Sequence, residues 1–364
     1  MVPPQVERFK KKPLDNNTPL DLLVKLALTQ DGQEASIKLQ QKLKSQDAAQ
    51  REAAMDAITP HLHQLAYCRH GNFLAQRAIS LNRSLGWTFA DTFVKLSLSQ
   101  YGCHVVQKLL DLGSEDVREL IANELLNEKL EETIASRHAI HIWQKVLDTQ
   151  WQEAGMRSKI VNTLNEVLRG KWADIALSET GSLICQNLFE SGSDAETEEC
   201  MLEVVDRVCE CAMGQWGVWV VQYIIEHAGG EVKKKALDQM LSEATRLSMS
   251  QHGQKAIMTA IRARNPSFLA AYIDILCENE VACPCPEENV SSTHNASSRR
   301  SVLVDVATCT HGDQIVTQLL TSSTIEQRER IIKTVRKNSV FLKGSKAGLR
   351  IYQLCERARA FTGY

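Results

Sequence analysis

The sequence lacks any long, uninterrupted run of apolar residues. No stretch of its 364 residues approaches the 18 or so that are needed to cross a bilayer. The N-terminal stretch MVPPQVERFKKKPLDNN has no apolar core of the kind that a secretory signal carries. Hydrophobic residues make up 43% of the chain and charged residues 24%, as in ordinary folded soluble proteins. These features argue against a membrane-spanning or secreted protein.

Recognisable catalytic motifs are also missing. The sequence has no glycine-rich phosphate loop, no pair of metal ligands on a helix and no nucleophile elbow. Its eleven cysteines are scattered through helical patterns such as Ile184-Cys185-Gln186, which is typical of a reduced compartment where cysteine fills apolar space. We therefore expect a cytoplasmic protein that is not an enzyme and holds no cofactor and no metal.

Positive charge is in short supply overall. The net charge is −2 and the isoelectric point is near 6.6, which argues mildly against indiscriminate binding of nucleic acid. Residues 326–360 are the exception, with ten Lys or Arg and three Glu. A solvated helix face and a basic binding surface explain that run equally well.

What the sequence does have is an internal repeat. A motif of a small residue, two variable residues, two mostly apolar residues and Gln occurs in Gly102-Cys103-His104-Val105-Val106-Gln107. We number these motif positions 1 to 6. The copies, some of them looser, begin at Ala35, Gly71, Gly102, Ala139, Gly181, Gly217, Gly253, Gly312 and Gly348. Four of the eight gaps between copies are 36 residues, and the first six copies all carry Gln at position 6.

Each copy has the apolar spacing of a helix with one buried face. Further amphipathic stretches lie between the copies, for example residues 117–126. Each unit therefore reads as two or three short helices. Because one unit cannot bury its apolar face alone, we expect neighbouring units to stack into a curved all-α solenoid.

Two segments fall outside the repeats. Residues 1–19, with three prolines, are predicted to be an N-terminal tail. The 59-residue gap contains an insertion at about 277–301, which lacks periodicity and is predicted to be a flexible loop. The spacing of its possible zinc ligands is not that of a known zinc module, so free thiols are the better interpretation; these residues are Cys277, Cys283, Cys285 and His294.

The strings GNFLAQ, YGCHVVQKLLD and GQWGVWVVQYIIEH resemble the Pumilio (PUF) family, and the resemblance covers about residues 20–364. It implies a crescent-shaped domain of eight repeats with flanking half-repeats, and the motif at Gly348 would belong to the C-terminal half-repeat. The divergence of several repeats is similar to that of some fungal members. The long insertion lies between repeats seven and eight, where the family tends to have a longer connection.

The resemblance also implies a binding chemistry, in which each repeat reads one base of single-stranded RNA with side chains on its second helix. Positions 2 and 6 would read base edges and position 3 would stack on bases, with repeat one at the 3′ end of the RNA. The implied edge-reading residues are Ser36, Gln40, Asn72, Gln76, Cys103, Gln107, Gln144, Ser182, Gln186 and Gln222. The implied stacking residues are Phe73, His104, His141 and Trp219, with Ile37 and Leu183 at the same position.

In the family's pattern, Asn with Gln pairs with uracil, and Cys or Ser with Gln pairs with adenine. Repeats five to one then spell 5′-A-N-A-U-A-3′, where N faces repeat four because Ile140 cannot make a polar contact. Repeats seven and eight depart from the pattern, since they carry Met258 and Thr317 where guanine reading would need Glu. The bases that repeats six to eight read stay open.

Several functions remain open at this point. The first is a sequence-selective binder of mRNA 3′ untranslated regions that recruits repressor or deadenylation proteins on its convex face. The second is a helical-repeat scaffold that binds protein and has largely abandoned RNA, which the acidic net charge favours. A nucleolar factor in ribosomal RNA processing comes third, because such relatives carry more repeats. The six Gln residues could also form a hydrogen-bonded ladder between repeats.

Overall fold

The structure is a computed structural model that describes residues 14–15, 17–278, 280–282 and 299–361. Within these residues the chain is almost entirely helical, in agreement with the predicted all-α repeat array. No helix in the described part is long and apolar enough to cross a membrane.

Every complete repeat begins with a short helix, followed by the helix that carries the motif, which we call the motif helix. The short helices are Leu20–Ala27, Leu62–Ala66, Phe93–Leu98, Leu130–Ala135, Trp172–Ala176, Val208–Met213, Ala244–Met249, Val302–Thr308 and Ser339–Lys343. The motif helices are Gln33–Leu43, Asn72–Leu81, Gly102–Leu112, Ile140–Asp148, Glu179–Ser191, Gly217–His227, Gly253–Arg262, Gly312–Ser322 and Lys346–Phe361. Each motif helix begins within a few residues of the small residue at motif position 1.

A third helix closes most repeats. These third helices are Ala48–Ile58, Glu115–Asn127, Met156–Leu168, Asp194–Asp206, Gly230–Ser242, Pro266–Glu278 and Ile325–Lys337. Their starts follow from local sequence: Ser193 and Thr324 form capping boxes with Glu196 and Gln327, and Asp47 accepts a hydrogen bond from the Ala49 amide. Repeat two lacks this helix and has the 3₁₀ segment Arg83–Phe89 instead, which accounts for its 31-residue spacing. A second 3₁₀ turn, Thr59–His61, precedes the short helix of repeat two.

The small residue at motif position 1 lets the motif helix approach the short helix before it. A Cβ atom on Gly102 would lie 2.8 Å from the carbonyl oxygen of Leu96, and one on Gly217 would lie 2.6 Å from that of Cys211. Both distances are too short for a side chain, so glycine is required for this close packing. The residues at positions 4 and 5 then point into the core, as Val105 and Val106 do. Burying each such side chain contributes roughly 1.5–3 kcal/mol.

The chain forms two compact units. The first comprises residues 1–168 and 187–192, and the second comprises residues 169–186 and 193–364. In the first unit the motif helices of repeats one to four pack in sequence against one another. Trp143 is fully buried there, with its indole N–H donating to the Thr133 hydroxyl at 3.1 Å. In the second unit the motif helices of repeats six, seven and eight and of the C-terminal half-repeat pack in the same way.

Two irregular gaps in the repeat have a structural origin. The 42-residue spacing after repeat four comes from a longer connection, residues 149–155, between its motif helix and its third helix. The 59-residue gap carries the insertion, and its two edges pair as short antiparallel strands, Glu280–Ala282 with Arg299–Ser301. Strands of three residues are too short to show the alternation that predicts a strand, so the sequence indicated only a loop. Cys277 belongs to the helix before the insertion.

Candidate nucleic-acid interface

The six motif positions have a regular pattern of exposure along the motif helices. Position 2 is buried: Ser36, Asn72, Cys103 and Ser182 are 1–3% exposed. In the first six copies, position 3 is exposed, positions 4 and 5 are buried except at Lys38, and the Gln at position 6 is half-buried, except for the exposed Gln144. Positions 3 and 6 therefore form the surface of the helix, and position 2 lies beneath them.

The side chain of Asn72 shows what the buried position does. Its Nδ2 donates to the carbonyl oxygens of Cys68 and Arg69, at 3.0 and 2.9 Å. Its Oδ1 accepts a hydrogen bond of 3.0 Å from Nε2 of Gln76. In this structure Asn72 therefore fixes the amide of Gln76, while Oε1 and the second N–H of Gln76 stay available.

Ser36 and Ser182 hold their Gln residues in related ways. Ser36 donates to the carbonyl oxygen of His70 in the next repeat and accepts a 3.2 Å hydrogen bond from Nε2 of Gln40. Nε2 of Gln186 donates to the backbone oxygen of Ser182 at 3.0 Å. Gln40, Gln76 and Gln186 are thus each tied to the residue four positions earlier, on the same face of the helix.

Repeats three and four differ from this arrangement. The Cys103 thiol faces the carbonyl oxygen of Gln100 at 3.5 Å, and burial raises the pKa of this thiol, which keeps it neutral. Ile140 is buried at position 2 of repeat four and offers no polar atom. There, Nδ1 of His141 lies 3.5 Å from Oε1 of Gln144.

Position 3 carries large side chains in open solvent. Phe73 is 53% exposed and Trp219 is 48% exposed, and His104 and His141 are exposed as well. Ile37 and Leu183 occupy the same position with similar exposure. Large apolar groups exposed at one register of successive repeats are typical of a binding surface.

The side chains of repeats two and three together line a groove of about 450 Å³. We call it the N-terminal groove, and it is lined by Phe73, Gln76, His104, Gln107, Lys108 and Asp111. It offers two rings and two amides, and Asp111 is neutralised by Lys145 at 2.5 Å. A flat aromatic ligand with hydrogen-bonding edges matches this set of groups.

Repeat six uses a partner that sequence reasoning missed. Nε2 of Gln222 donates to the hydroxyl of Thr259, in the next motif helix, at 2.8 Å. Oε1 of Gln222 is buried and has no hydrogen-bond partner, and Val218 at position 2 is fully buried. An unsatisfied buried oxygen costs about 1–3 kcal/mol.

The second unit has a groove of its own, of about 360 Å³. We call it the C-terminal groove, and it is lined by Gln222, Gln251, Gln254, Lys255, Met258, Arg262, His311 and Gln314. Nζ of Lys255 lies 5.1 Å from the centre of the Trp219 ring. At position 2 of repeat eight, Asp313 pairs with Arg350 at 3.6 Å, so its charge is partly balanced. Arg262 and His311 lie outside the motif positions, and no sequence pattern singled them out.

A metal site has no support among the residues that the structure describes. They contain no group of three or more His, Cys, Asp or Glu placed to hold a metal ion. Burial raises the pKa of the half-buried Cys277 thiol. The other candidate ligands, Cys283, Cys285 and His294, lie outside the described residues.

Comparison with protein families agrees with the repeat. The sequence model of the Pumilio-family RNA binding repeat matches residues 93–126, 171–205 and 207–241. These segments correspond to repeats three, five and six of the structure.

Two curated proteins of Schizosaccharomyces pombe are similar over most of the chain. Meiotic coiled-coil protein 2 is 31% identical over 342 residues, which is 93% of this chain and 46% of that protein. Meiotic PUF family protein 1 is 29% identical over 343 residues, which is 93% of this chain and 56% of that protein. The chain thus spans about half the length of these relatives.

Solved structures show the same fold. PUF-8 in complex with PBE-RNA matches with a TM-score of 0.75 and 20% identity over 97% of this chain and 99% of that one. The Puf3 RNA binding domain, bound to site A of the Cox17 RNA 3′ UTR recognition sequence, matches with a TM-score of 0.68 and 18% identity. That match covers 97% of this chain and 100% of the Puf3 domain. The repeat register, the matched repeats and the fold agree: the chain carries repeats that match the Pumilio-family model and has the fold of PUF domains.

Proposed function

We propose that this chain binds single-stranded RNA in a sequence-selective way, with one base per repeat. The observation that carries the proposal is a pairing that recurs from repeat to repeat. An exposed residue at position 3 lies beside a Gln at position 6, and this Gln is more accessible than the buried residue at position 2. A planar base needs both a stacking surface and a hydrogen-bonding edge, and the N-terminal groove offers two of each.

The base read by each repeat would follow from position 2 as well as from Gln. Asn72 lies beneath Gln76 and orients its amide. We expect Asn72 to fill space beside a pyrimidine, and the smaller Ser36, Cys103 and Ser182 to leave room for a purine. Repeats five to one are therefore proposed to read 5′-A-N-A-U-A-3′. Repeat four leaves its base unspecified because Ile140 has no polar atom.

RNA is present in the PUF-8 and Puf3 structures that share the fold. This supports RNA as the ligand of the present chain, and the 3′ UTR sequence bound by Puf3 supports mRNA as its source. We propose a cytoplasmic, post-transcriptional regulator in which residues 20–364 form the RNA-binding domain and residues 1–19 a tail. Repressor or deadenylation proteins would bind the face away from the motif helices.

The decisive experiment is a titration of labelled RNA of about 9–12 nucleotides that contains A-N-A-U-A. The control RNA has the A opposite repeat three and the U opposite repeat two changed to C. Both are titrated at two salt concentrations, since electrostatic contacts with phosphates depend on salt. We expect the control to bind at least tenfold more weakly, which is about 1.4 kcal/mol. Weak, salt-sensitive binding without preference between the two would contradict the proposal.

The alternative function is a protein-binding helical scaffold. It is favoured by the net charge of −2 and by the loss of the Gln pattern in repeats seven and eight. The same titration separates the two, because a protein scaffold should show no preference for A and U at the positions opposite repeats three and two.

A further inference from the structure

The C-terminal groove differs from the N-terminal groove in the groups that it presents. At position 2 of repeat seven, Gln254 is only 6% exposed. Its Nε2 donates to the carbonyl oxygen of Thr310 at 2.7 Å and lies 3.2 Å from Sγ of Cys309. Both amide hydrogens are thus directed into the protein, toward the following repeat.

Position 6 of repeat seven offers no replacement for an amide. Met258 is half-buried there and lines the groove. A thioether has no hydrogen-bond donor and is only a weak acceptor, while its flexible side chain packs against almost any flat surface. At motif positions 2 and 6, repeat seven therefore lacks an accessible hydrogen-bond donor that could distinguish one base edge from another.

The same groove is rich in positive charge. Lys255 and Arg262 both line it and are both exposed. Neither is paired with a carboxylate within the part of the chain that the structure describes, whereas many other basic side chains of this unit are, such as Arg207 and Arg330. Lys255 lies over Trp219 at 5.1 Å, an exposed contact that an incoming base can displace.

We propose that repeat seven holds its nucleotide by the phosphate, through Lys255 and Arg262, and does not select the base. The inference rests on the proposed function, because it assigns one position of the bound strand. It makes the C-terminal groove a clamp on the RNA backbone next to the base-reading repeats. Met258 would support whichever base lies there.

The test uses four RNAs that share A-N-A-U-A and differ only in the nucleotide two positions 5′ of it, which faces repeat seven. We expect the dissociation constants of the four to agree within fivefold. A preference above fivefold for one base, with the preference for A and U at repeats three and two intact, would overturn this inference alone. Loss of that A and U preference would overturn the proposed function, and this inference with it.

A charge variant tests the role of the two cations. In Lys255→Gln/Arg262→Gln we expect all four RNAs to bind about tenfold more weakly at low salt. The slope of log affinity against log salt should become shallower by about 1.4, since each contact with a single strand contributes about 0.7. The control, Lys234→Gln/Arg246→Gln, makes the same charge change in the same unit at residues that do not line the groove. A slope change no larger in the groove variant than in this control would overturn the inference.

Discussion

The N-terminal and C-terminal grooves occupy the same register of the repeat but present different chemistry. The first combines Phe73 and His104 with the amides of Gln76 and Gln107. The second has Trp219 beside it and His311 in its lining, and Met258 stands where the second position 6 amide would be. Base reading requires an accessible amide at position 6, and the first groove has two of them where the second has one.

The difference originates at position 2. In repeats one and two a small or amide side chain at this position supports its own Gln, as Asn72 supports Gln76. In repeat six Val218 provides no polar support, and Thr259 of the next repeat holds Gln222 instead. In repeat seven the position 2 residue is itself a Gln and bonds toward repeat eight. The same repeat framework therefore supports either a base-reading surface or a charged surface, depending on the residue at position 2.

The largest effect that separates the grooves is expected from loss of stacking in the first one. Phe73→Ala/His104→Ala should weaken binding of the A-N-A-U-A RNA by about 30-fold to several hundredfold. Stacking on an aromatic ring contributes about 1–3 kcal/mol per base, and the histidine lies toward the low end of that range. Fluorescence titration at fixed salt measures the change.

The control for this variant is Trp87→Ala, because Trp87 is 50% exposed in the same unit but lies in the 3₁₀ segment outside the motif. Its affinity should stay within twofold of the wild type. If the two variants lose affinity equally, the exposed rings of position 3 are not the contact surface.

A smaller, base-specific effect is expected at repeat three. Cys103→Ala/Gln107→Ala removes both position 2 and position 6 there and should reduce the preference for A over C opposite that repeat from about tenfold to below threefold. Discrimination between U and C opposite repeat two should survive, because Gln76 and Asn72 are unchanged. Competition with RNAs that differ at one position measures both ratios, and an equal loss for every RNA would contradict base reading.

A change of preference is expected when repeat two is given the position 2 residue of repeat one. In Asn72→Ser the smaller side chain leaves room for a purine, and its hydroxyl can accept from Gln76 as Ser36 does from Gln40. We expect the preferred base opposite repeat two to change from U to A, so that RNA with A at this position binds about tenfold more tightly than RNA with U. The hydrogen bonds from Nδ2 to Cys68 and Arg69 are lost, which should lower the free energy of unfolding by about 1–2 kcal/mol.

The matched control is Asn82→Ser, which changes the same residue type at an exposed site of the same unit. It should leave base preference unaltered. Persistence of the U preference in Asn72→Ser, with the fold intact by circular dichroism, would mean that position 2 does not set the base.

The sequence predicted the repeat array and its burial pattern because both follow from short-range helical spacing. Exposure of Phe73 and burial of Val105 depend on the turn of one helix, and Gly102 marks where that helix meets its neighbour. Burial of Ser36 and Asn72 was not foreseen, since a polar residue beside an apolar pair gives no sign of which side faces solvent. The predicted assignment of bases remains a prediction.

Contacts between repeats could not be predicted from the sequence. Gln254 bonds to Thr310 across 56 residues, including the insertion, so its orientation depends on how two distant segments pack. The support of Gln222 by Thr259 likewise depends on two helices that are 37 residues apart. Neither Thr259 nor Thr310 occupies a motif position, and no local pattern distinguishes them from other threonines.

The smallest expected effect concerns this contact between repeats six and seven. Thr259→Val preserves the shape of the buried side chain but removes the hydroxyl that holds Nε2 of Gln222, so the amide becomes free to rotate. We expect base preference opposite repeat six to fall by about threefold, while the preferences opposite repeats two and three stay the same. Single-position competition measures each ratio, and Thr321→Val, at an exposed threonine of the same unit, is the control.

A loss of preference that extends to repeats two and three would indicate general destabilisation. No change opposite repeat six would show that Thr259 does not orient Gln222 in the complex. The outcome decides whether selectivity in repeat six, where Val218 at position 2 gives no support, depends on the neighbouring repeat.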